Sequence, residues 1–210
     1  MLQAIILAAG TGERMLPLTK YVPKALVKKN AGPTLLSLAI ASLPVCEKHL
    51  TYSYLGEQIL SKYHNVFSTF YNTQGKGNAH FLTGPLGLID EPTIIIPCDI
   101  QFEIDWNELF DEFTNSDAVA MLVPTNLNYK EEGDFLYAKE SGKKVKFISR
   151  NLLDEEYFGM ATGIQIVIPS KLPRYDNFNL IWQDLILDNK LNISKTQPTK
   201  WSAIDRISQL

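Results

Sequence analysis

The stretch AIILAAGTGERMLPLTKYVPKALV, residues 4–27, indicates both the fold and the kind of site to expect. It begins as a continuous apolar run, typical of a buried strand, and then breaks at Gly10 and Gly12. Glycines let backbone N–H groups approach a ligand closely, and successive N–H groups form a concave surface that suits phosphate oxygens. Arg14 and Lys24 add two cations, and the prolines between them stiffen the loop. The stretch therefore predicts a polyphosphate-binding loop, with a plain glycine turn between strand and helix as the alternative.

Two familiar phosphate-binding motifs do not fit this loop. A P-loop requires the pattern G-x-x-x-x-G-K-[ST], which the stretch does not contain. A dinucleotide-binding loop requires G-x-G-x-x-G, and Met15 stands where the third glycine would be. The second mismatch weakens a dinucleotide-binding interpretation.

The composition is that of an ordinary globular protein, with 210 residues, 45% hydrophobic and 20% charged, and a formal net charge of −3. This charge argues against a protein that coats nucleic acid or binds membranes through a polybasic surface. No apolar run approaches the roughly 20 residues that span a bilayer, and the N-terminal segment lacks the basic region of a signal peptide. The two distant cysteines, Cys46 and Cys98, fit a reducing compartment. We therefore expect a cytoplasmic protein with neither nucleic-acid nor membrane partners.

Apolar runs of strand length alternate with amphipathic segments through the first half of the chain. Residues 3–9 and 92–100 are almost continuously apolar, and residues 105–116 have the spacing of an amphipathic helix. Residues 78–89 are expected to begin as a helix and to break near Gly84. The second half adds antiparallel pieces, including a predicted hairpin over 134–151. This order predicts an α/β fold with a mostly parallel mixed sheet between helices, and ligands beyond the carboxyl ends of the strands.

The segment LAAGTGERMLPLTKYVPKAL, residues 7–26, resembles the signature of the sugar-phosphate nucleotidyltransferases, L-A-A-G-x-G-x-R-[ML]-x-P-L-T-x-x-x-P-K-x-[LM]. The resemblance implies a Rossmannoid, GT-A-like three-layer sandwich, formed by a single nucleotidyltransferase domain over residues 1–210. It also implies transfer of a nucleoside monophosphate (NMP) from a nucleoside triphosphate (NTP) to a phosphorylated small acceptor, with release of pyrophosphate. By this resemblance Arg14 and Lys24 are expected to be catalytic, and Lys24 is also expected to contact the acceptor. The residues expected to bind the nucleotide are Leu7, Ala8, Ala9, Gly10, Thr11 and Gly12.

Two aspartates are candidate metal ligands. Asp99 ends the strongly apolar run, where a carboxylate suits a hard divalent cation such as Mg²⁺; the family also has an aspartate there, after a glycine that is Cys98 here. The later segment WSAID resembles the family's W-x-D-I-D, so Asp205 matches the second aspartate and Ala203 replaces the first. The resemblance therefore implies Mg²⁺ as cofactor, held by Asp99 and Asp205, with Asp99 also catalytic. A helix cap is the alternative for Asp205, and a cap is the preferred interpretation of Asp105.

Three further positions carry over from the resemblance, and a fourth, Trp182, is suggested by the chemistry of its side chain. Asn78 lies in the region that reads the nucleotide base in the family, and could instead be an N-cap for the helix after it. Arg150 takes the place of the lysine in the family's Glu-Lys-Pro, whose glutamate is absent here, and is expected to bind the acceptor phosphate. The resemblance also implies that Gly163 lies in a strand close to the acceptor. Trp182 could bind a cationic head group, although packing in the core is the favoured interpretation.

The predicted reaction is one in-line displacement at the α-phosphorus, in which positioning and charge neutralisation make a general base unnecessary. The leading acceptor is a sugar 1-phosphate, and family habit suggests a pathway of surface-glycan biosynthesis. The asparagine at position 78 and the missing glutamate leave open a CTP-dependent cytidylyltransferase acting on a phosphocholine-like alcohol. A non-catalytic nucleotide-sensing module is the alternative from another class, and the retained Arg14, Lys24 and Asp99 argue against it.

Overall fold

A computed structural model describes residues 1–127 and 133–210. The helices are α1 Leu35–Ala41, α2 Gly56–Tyr63, α3 Trp106–Thr114 and α4 Phe178–Leu187. The strands are β1 Gln3–Ala8, β2 Glu47–Tyr52, β3 Thr69–Asn72, β4 Thr93–Pro97, β5 Ile100–Glu103, β6 Ala120–Thr125, β7 Phe135–Ala138, β8 Val145–Ser149, β9 Gly159–Val167, β10 Leu191–Ile193 and β11 Lys200–Ala203. In the described residues, no helix is long and apolar enough to cross a membrane.

The main sheet has the strand order β10-β6-β9-β4-β1-β2-β3, and the β7–β8 hairpin extends it from β9. β1 pairs in parallel with β2 and with β4, and β2 pairs in parallel with β3. Strand β9 runs antiparallel to both β4 and β6. Only β9 runs opposite to the other strands in this order, which are all parallel to one another. The predicted mostly parallel mixed sheet is therefore confirmed.

Helices cover both faces of the sheet. Successive side chains of a strand point to opposite faces, so a continuously apolar strand makes both faces apolar and both need to be covered. On β1, Ala4 and Ile6 belong to one buried cluster, which also contains residues of α1, α2 and α3. Ile5 belongs to a second cluster, which contains residues of α4. The predicted α/β sandwich of three layers is therefore confirmed, and the carboxyl ends of β1, β2 and β4 open at one edge.

Several elements differ from the predicted ones. Residues 78–89 break at Gly84 as expected, but the two pieces, His80–Thr83 and Pro85–Leu88, are 3-10 helices and not an α-helix. The apolar run expected to be one strand over 92–100 ends at Pro97 and turns before β5. The predicted hairpin over 134–151 forms as β7 and β8. Asp105 caps α3 as predicted, because its carboxylate accepts from two backbone N–H groups of the first turn.

A small second sheet lies apart from the main one and consists of β5 and β11. The two strands are antiparallel, with Ile100 opposite Ala203 and Phe102 opposite Trp201. Because β5 starts one residue after Asp99 and β11 ends two residues before Asp205, this pairing brings the two aspartates to the same end of the small sheet.

Candidate active site

The glycine loop is held open at the carboxyl end of β1. Gly12 is left-handed at φ +70°, and a Cβ there would lie 2.9 Å from Cγ2 of Thr19 and 3.1 Å from Cβ of Lys24. The buried Thr19 hydroxyl donates to the Gly12 carbonyl at 2.8 Å and so fixes this turn. Gly10 is exposed, and a Cβ there would meet no atom within 4 Å. The loop therefore presents accessible backbone to a ligand, as the phosphate-binding interpretation requires.

The other predicted nucleotide-binding residues of the loop lie on either side of that turn. Leu7 and Ala8 are the last residues of β1, and the Leu7 carbonyl accepts from the Cys98 N–H at 3.0 Å. The Ala9 carbonyl accepts from the Ser53 hydroxyl at 2.6 Å. Thr11 is exposed and its hydroxyl donates to the carboxylate of Glu13. The loop is thus anchored to the ends of both neighbouring strands.

The structure brings four of the predicted residues into one ion-pair cluster. The ammonium of Lys24 contacts a carboxylate oxygen of Asp99 and lies 2.9 Å from Oδ1 of Asp205. The guanidinium of Arg14 lies 3.3 Å from the same Oδ1 of Asp205. The side chain of Lys24 is 11% exposed, whereas that of Arg14 is 65% exposed. Lys24 therefore forms the inner part of the cluster, and Arg14 lies at its solvent-exposed edge.

Burial and charge act in opposite directions on Lys24. Burial alone lowers the pKa of its ammonium, but the charges and hydrogen bonds of Asp99 and Asp205 more than offset it, so the pKa lies above its ordinary value. Lys24 is therefore a permanent cation at neutral pH, suited to neutralise phosphate charge and unsuited to act as a base.

The arrangement of the two aspartates suits one divalent cation that completes its shell from elsewhere. In residues 1–127 and 133–210, no group of three or more His, Cys, Asp or Glu side chains is placed to hold a metal. Two carboxylates plus phosphate oxygens and water are the usual ligands of Mg²⁺ at nucleotide sites. The Lys24 ammonium already lies between Asp99 and Asp205, so both carboxylates point to a position that accepts a cation.

Asn78 holds the segment around it against the start of α4. Its side-chain oxygen accepts from the Phe178 N–H at 3.1 Å, and the Ala79 N–H donates to the Asp176 carbonyl at 2.9 Å. The alternative of a cap for the following helix is wrong, because that 3-10 helix has Ala79 at its N-cap and no side-chain cap. Asn78 is exposed, and its amide nitrogen is not the atom that contacts α4.

The predicted acceptor residues fall into two places. Gly163 has φ +89° and lies against Pro97, close to the end of β4 and thus to Asp99. Arg150 and Trp182 line a separate cavity of about 540 Å³ between β8 and α4. The Trp182 indole packs against the second buried cluster, and its N–H donates to the side-chain oxygen of Gln165 at 3.4 Å. Trp182 therefore packs in large part as a core residue.

Arg150 has a partner that the sequence did not reveal. Its Nε lies 3.1 Å from Oδ1 of Asp134, and the Asp134 side chain is 26% exposed. Burial raises the pKa of Asp134, and the Arg150 charge lowers it only in part. No pattern in the sequence joins the two residues. Thr19 and Ser53 were also not singled out, although Thr19 is one of the fixed positions of the matched signature and could have been found there.

Comparison with known proteins identifies the family and supports the fold. The sequence model of the family described as "Nucleotidyl transferase" matches residues 3–147. A candidate glucose-1-phosphate thymidylyltransferase from Bacillus anthracis, solved with sucrose, is similar in structure with a TM-score of 0.79 at 18% identity, over 100% of this chain and 92% of that one. The inositol-1-phosphate CTP transferase of T. maritima gives a TM-score of 0.75 at 20% identity, over 99% of this chain and 91% of that one. Because this family match covers more than half of the residues, the chain belongs to the nucleotidyl transferase family.

Proposed function

We propose that this protein is an enzyme that transfers NMP from an NTP to a phosphorylated small acceptor, with a sugar 1-phosphate as the leading acceptor class, and releases pyrophosphate. The observation that carries the proposal is Lys24 held between Asp99 and Asp205, with Arg14 beside them, next to an accessible glycine loop. The two cations and the accessible backbone donors suit the negative charge of the triphosphate, and the two carboxylates suit the divalent metal that it carries.

The residues support a single displacement. An oxygen of the acceptor phosphate forms the new bond to the α-phosphorus, while the bond from that phosphorus to the oxygen bridging to the β-phosphate breaks, and pyrophosphate leaves with the electron pair. The acceptor oxygen is already ionised near neutral pH, so no side chain has to remove a proton. Lys24 and Arg14 neutralise phosphate charge, and the loop N–H groups orient the triphosphate.

Asp99 and Asp205 are the residues that would hold Mg²⁺, which supplies charge neutralisation and orients the leaving pyrophosphate. The two carboxylates that already share the Lys24 ammonium support this assignment. We therefore propose that the reaction depends on Mg²⁺. In the reverse direction, with pyrophosphate as a substrate, the enzyme would act like a pyrophosphorylase.

We propose residues for the base and the acceptor, and two candidate pairs of nucleotide and acceptor. Asn78 is proposed to contact the base, and Gly163, Arg150 and Trp182 the acceptor. The neighbours named for a thymidylyltransferase and for a CTP transferase indicate that this fold is found with more than one base and acceptor. The aromatic Trp182 in the same cavity as Asp134 favours, as second candidate, a CTP-dependent reaction with a phosphocholine-like alcohol.

We further propose that residues 1–210 act as one domain, in the cytoplasm, without nucleic-acid or membrane partners, in surface-glycan biosynthesis. The main sheet joins strands from β1 to β10, which supports one domain. The net charge of −3 and the small number of cysteines support the location and partners. Comparing the sugar nucleotides in extracts of a producing strain and of a deletion strain would test the pathway.

The direct test is a pyrophosphate-release screen of four NTPs against phosphorylated sugars and alcohols, with and without Mg²⁺. One strongly preferred, Mg²⁺-dependent pair is expected. The matched variants are Asp99→Asn and, as control, Asp105→Asn, which retains a capping oxygen on α3. We expect Asp99→Asn to lower the rate by about 10²–10³ and the control to leave it unchanged. Nucleotide binding without pyrophosphate release from any pair would favour the sensing module instead.

A further inference from the structure

The backbone at Asp205 is fixed by a side chain four residues later in the chain. β11 ends at Ala203, and the Ile204 N–H still donates to the Asp99 carbonyl at 2.9 Å. Beyond this point Asp205 belongs to neither sheet. The side-chain oxygen of Gln209 accepts from the Asp205 N–H at 2.6 Å and from the Arg206 N–H at 2.9 Å.

The fixed backbone has a direct consequence for the ion-pair cluster. The Asp205 carboxylate lies 2.9 Å from the Lys24 ammonium and 3.3 Å from the Arg14 guanidinium. The backbone N–H of the same residue donates to the side-chain oxygen of Gln209. Residues 206–209 are exposed, so their own side chains bury little surface that could hold this turn. Leu210, next to Gln209, packs partly against a small cluster that contains Met15, the neighbour of Arg14.

We propose that Gln209 is a positioning residue for the reaction: it orients the Asp205 carboxylate towards the cation position without touching substrate. The inference rests on the proposed function, because it assigns Asp205 to the metal. Groups that orient metal ligands through hydrogen bonds typically change metal affinity or activity by about 10–100-fold when they are removed. A side chain that merely caps the terminal turn would instead affect stability alone.

The experiment compares wild type with Gln209→Ala, Gln209→Glu and the control Ser208→Ala, a change in an exposed neighbour on the same turn. Mn²⁺ binding is measured by electron paramagnetic resonance, and kcat and KM by pyrophosphate release. We expect Gln209→Ala to bind Mn²⁺ about tenfold more weakly and to lower kcat about tenfold with a near-unchanged KM for NTP. Gln209→Glu, which keeps an acceptor oxygen, should restore both quantities, and Ser208→Ala should resemble wild type.

Two results would overturn the inference: a wild type that binds no Mn²⁺, or equal Mn²⁺ affinities in wild type and Gln209→Ala. A lower melting temperature of Gln209→Ala with unchanged Mn²⁺ affinity would assign Gln209 to capping alone and reject the positioning role. Failure of the proposed function gives a different result, because then no NTP and acceptor pair releases pyrophosphate even from wild type. The Mn²⁺ comparison still decides the role of Gln209 in that case.

Discussion

Replacing Lys24 by methionine removes the ammonium that Asp99 and Asp205 share, while most of the side-chain volume stays. Wild-type Lys24 is 11% exposed, and the two carboxylates are 18% and 20% exposed. Removing one partner of a fully buried pair costs about 3–5 kcal/mol. Because the carboxylates keep some contact with water and Arg14 stays at Asp205, we expect a loss of about 2 kcal/mol in the free energy of unfolding.

Divalent metal should reverse part of this loss. Without Lys24 the carboxylate pair has no internal cation at that position, so Mg²⁺ should bind the variant more tightly than wild type in the absence of NTP. A ligand at ten times its dissociation constant stabilises the folded state by about 1.4 kcal/mol. Turnover should nevertheless fall by about 10²–10³, because the metal does not replace the lysine at the phosphates.

Urea unfolding with and without MgCl₂ measures both stability effects, and pyrophosphate release measures turnover. Lys20→Met is the matched control, since Lys20 is an exposed lysine of the same loop. The reasoning would be refuted if Lys24→Met were as stable as wild type, or if Mg²⁺ stabilised the two proteins equally. Near-wild-type turnover of the variant would refute the catalytic assignment of Lys24.

Three further outcomes are expected. Gly12→Ala forces a Cβ into the left-handed turn against Thr19, so we expect the free energy of unfolding to fall by about 1–3 kcal/mol and NTP to bind more weakly. Urea unfolding and calorimetry measure the two effects. Gly142→Ala is the control, because Gly142 is also left-handed, at φ +68°, but has open space around it, so NTP binding should be unchanged. Burial lowers the pKa of His49 below 6.5, so the unfolded chain takes up the proton first and stability should fall as the pH drops below about 6.5; His49→Gln should show a shallower fall, and equal slopes would contradict the argument. Burial raises the pKa of the Cys98 thiol, so a thiol reagent should modify only the half-buried Cys46 in the native protein, and fast labelling of both would contradict the buried position.

The first thirty residues allowed most of the site to be predicted, because a strand, a glycine turn and two cations are local patterns. The alternating apolar strands likewise predicted the α/β sheet, since fully buried strands need little beyond continuous apolar residues. Asp99 was found because it directly follows such a strand. Asp205 was suggested only by resemblance, and its partner Lys24 is 181 positions away along the chain.

The parts that escaped prediction depend on pairings between distant short segments. β5 has only four residues, too few for a periodic pattern, and nothing local indicated that it would pair with β11. β10, with three residues, is defined by its parallel pairing with β6. Asn78 accepts a hydrogen bond from the first residue of α4, 100 positions later, a contact that its local sequence did not indicate.

The small sheet of β5 and β11 also sets when the protein can become active during its synthesis. The glycine loop, Lys24 and Asp99 are translated early, and β1 to β4 can pair as they emerge from the ribosome. The second carboxylate arrives only with residues 200–205, and pairings between segments far apart in the chain tend to form more slowly than local ones. A nascent chain therefore carries the glycine loop, Lys24 and Asp99 long before the candidate site has its second carboxylate.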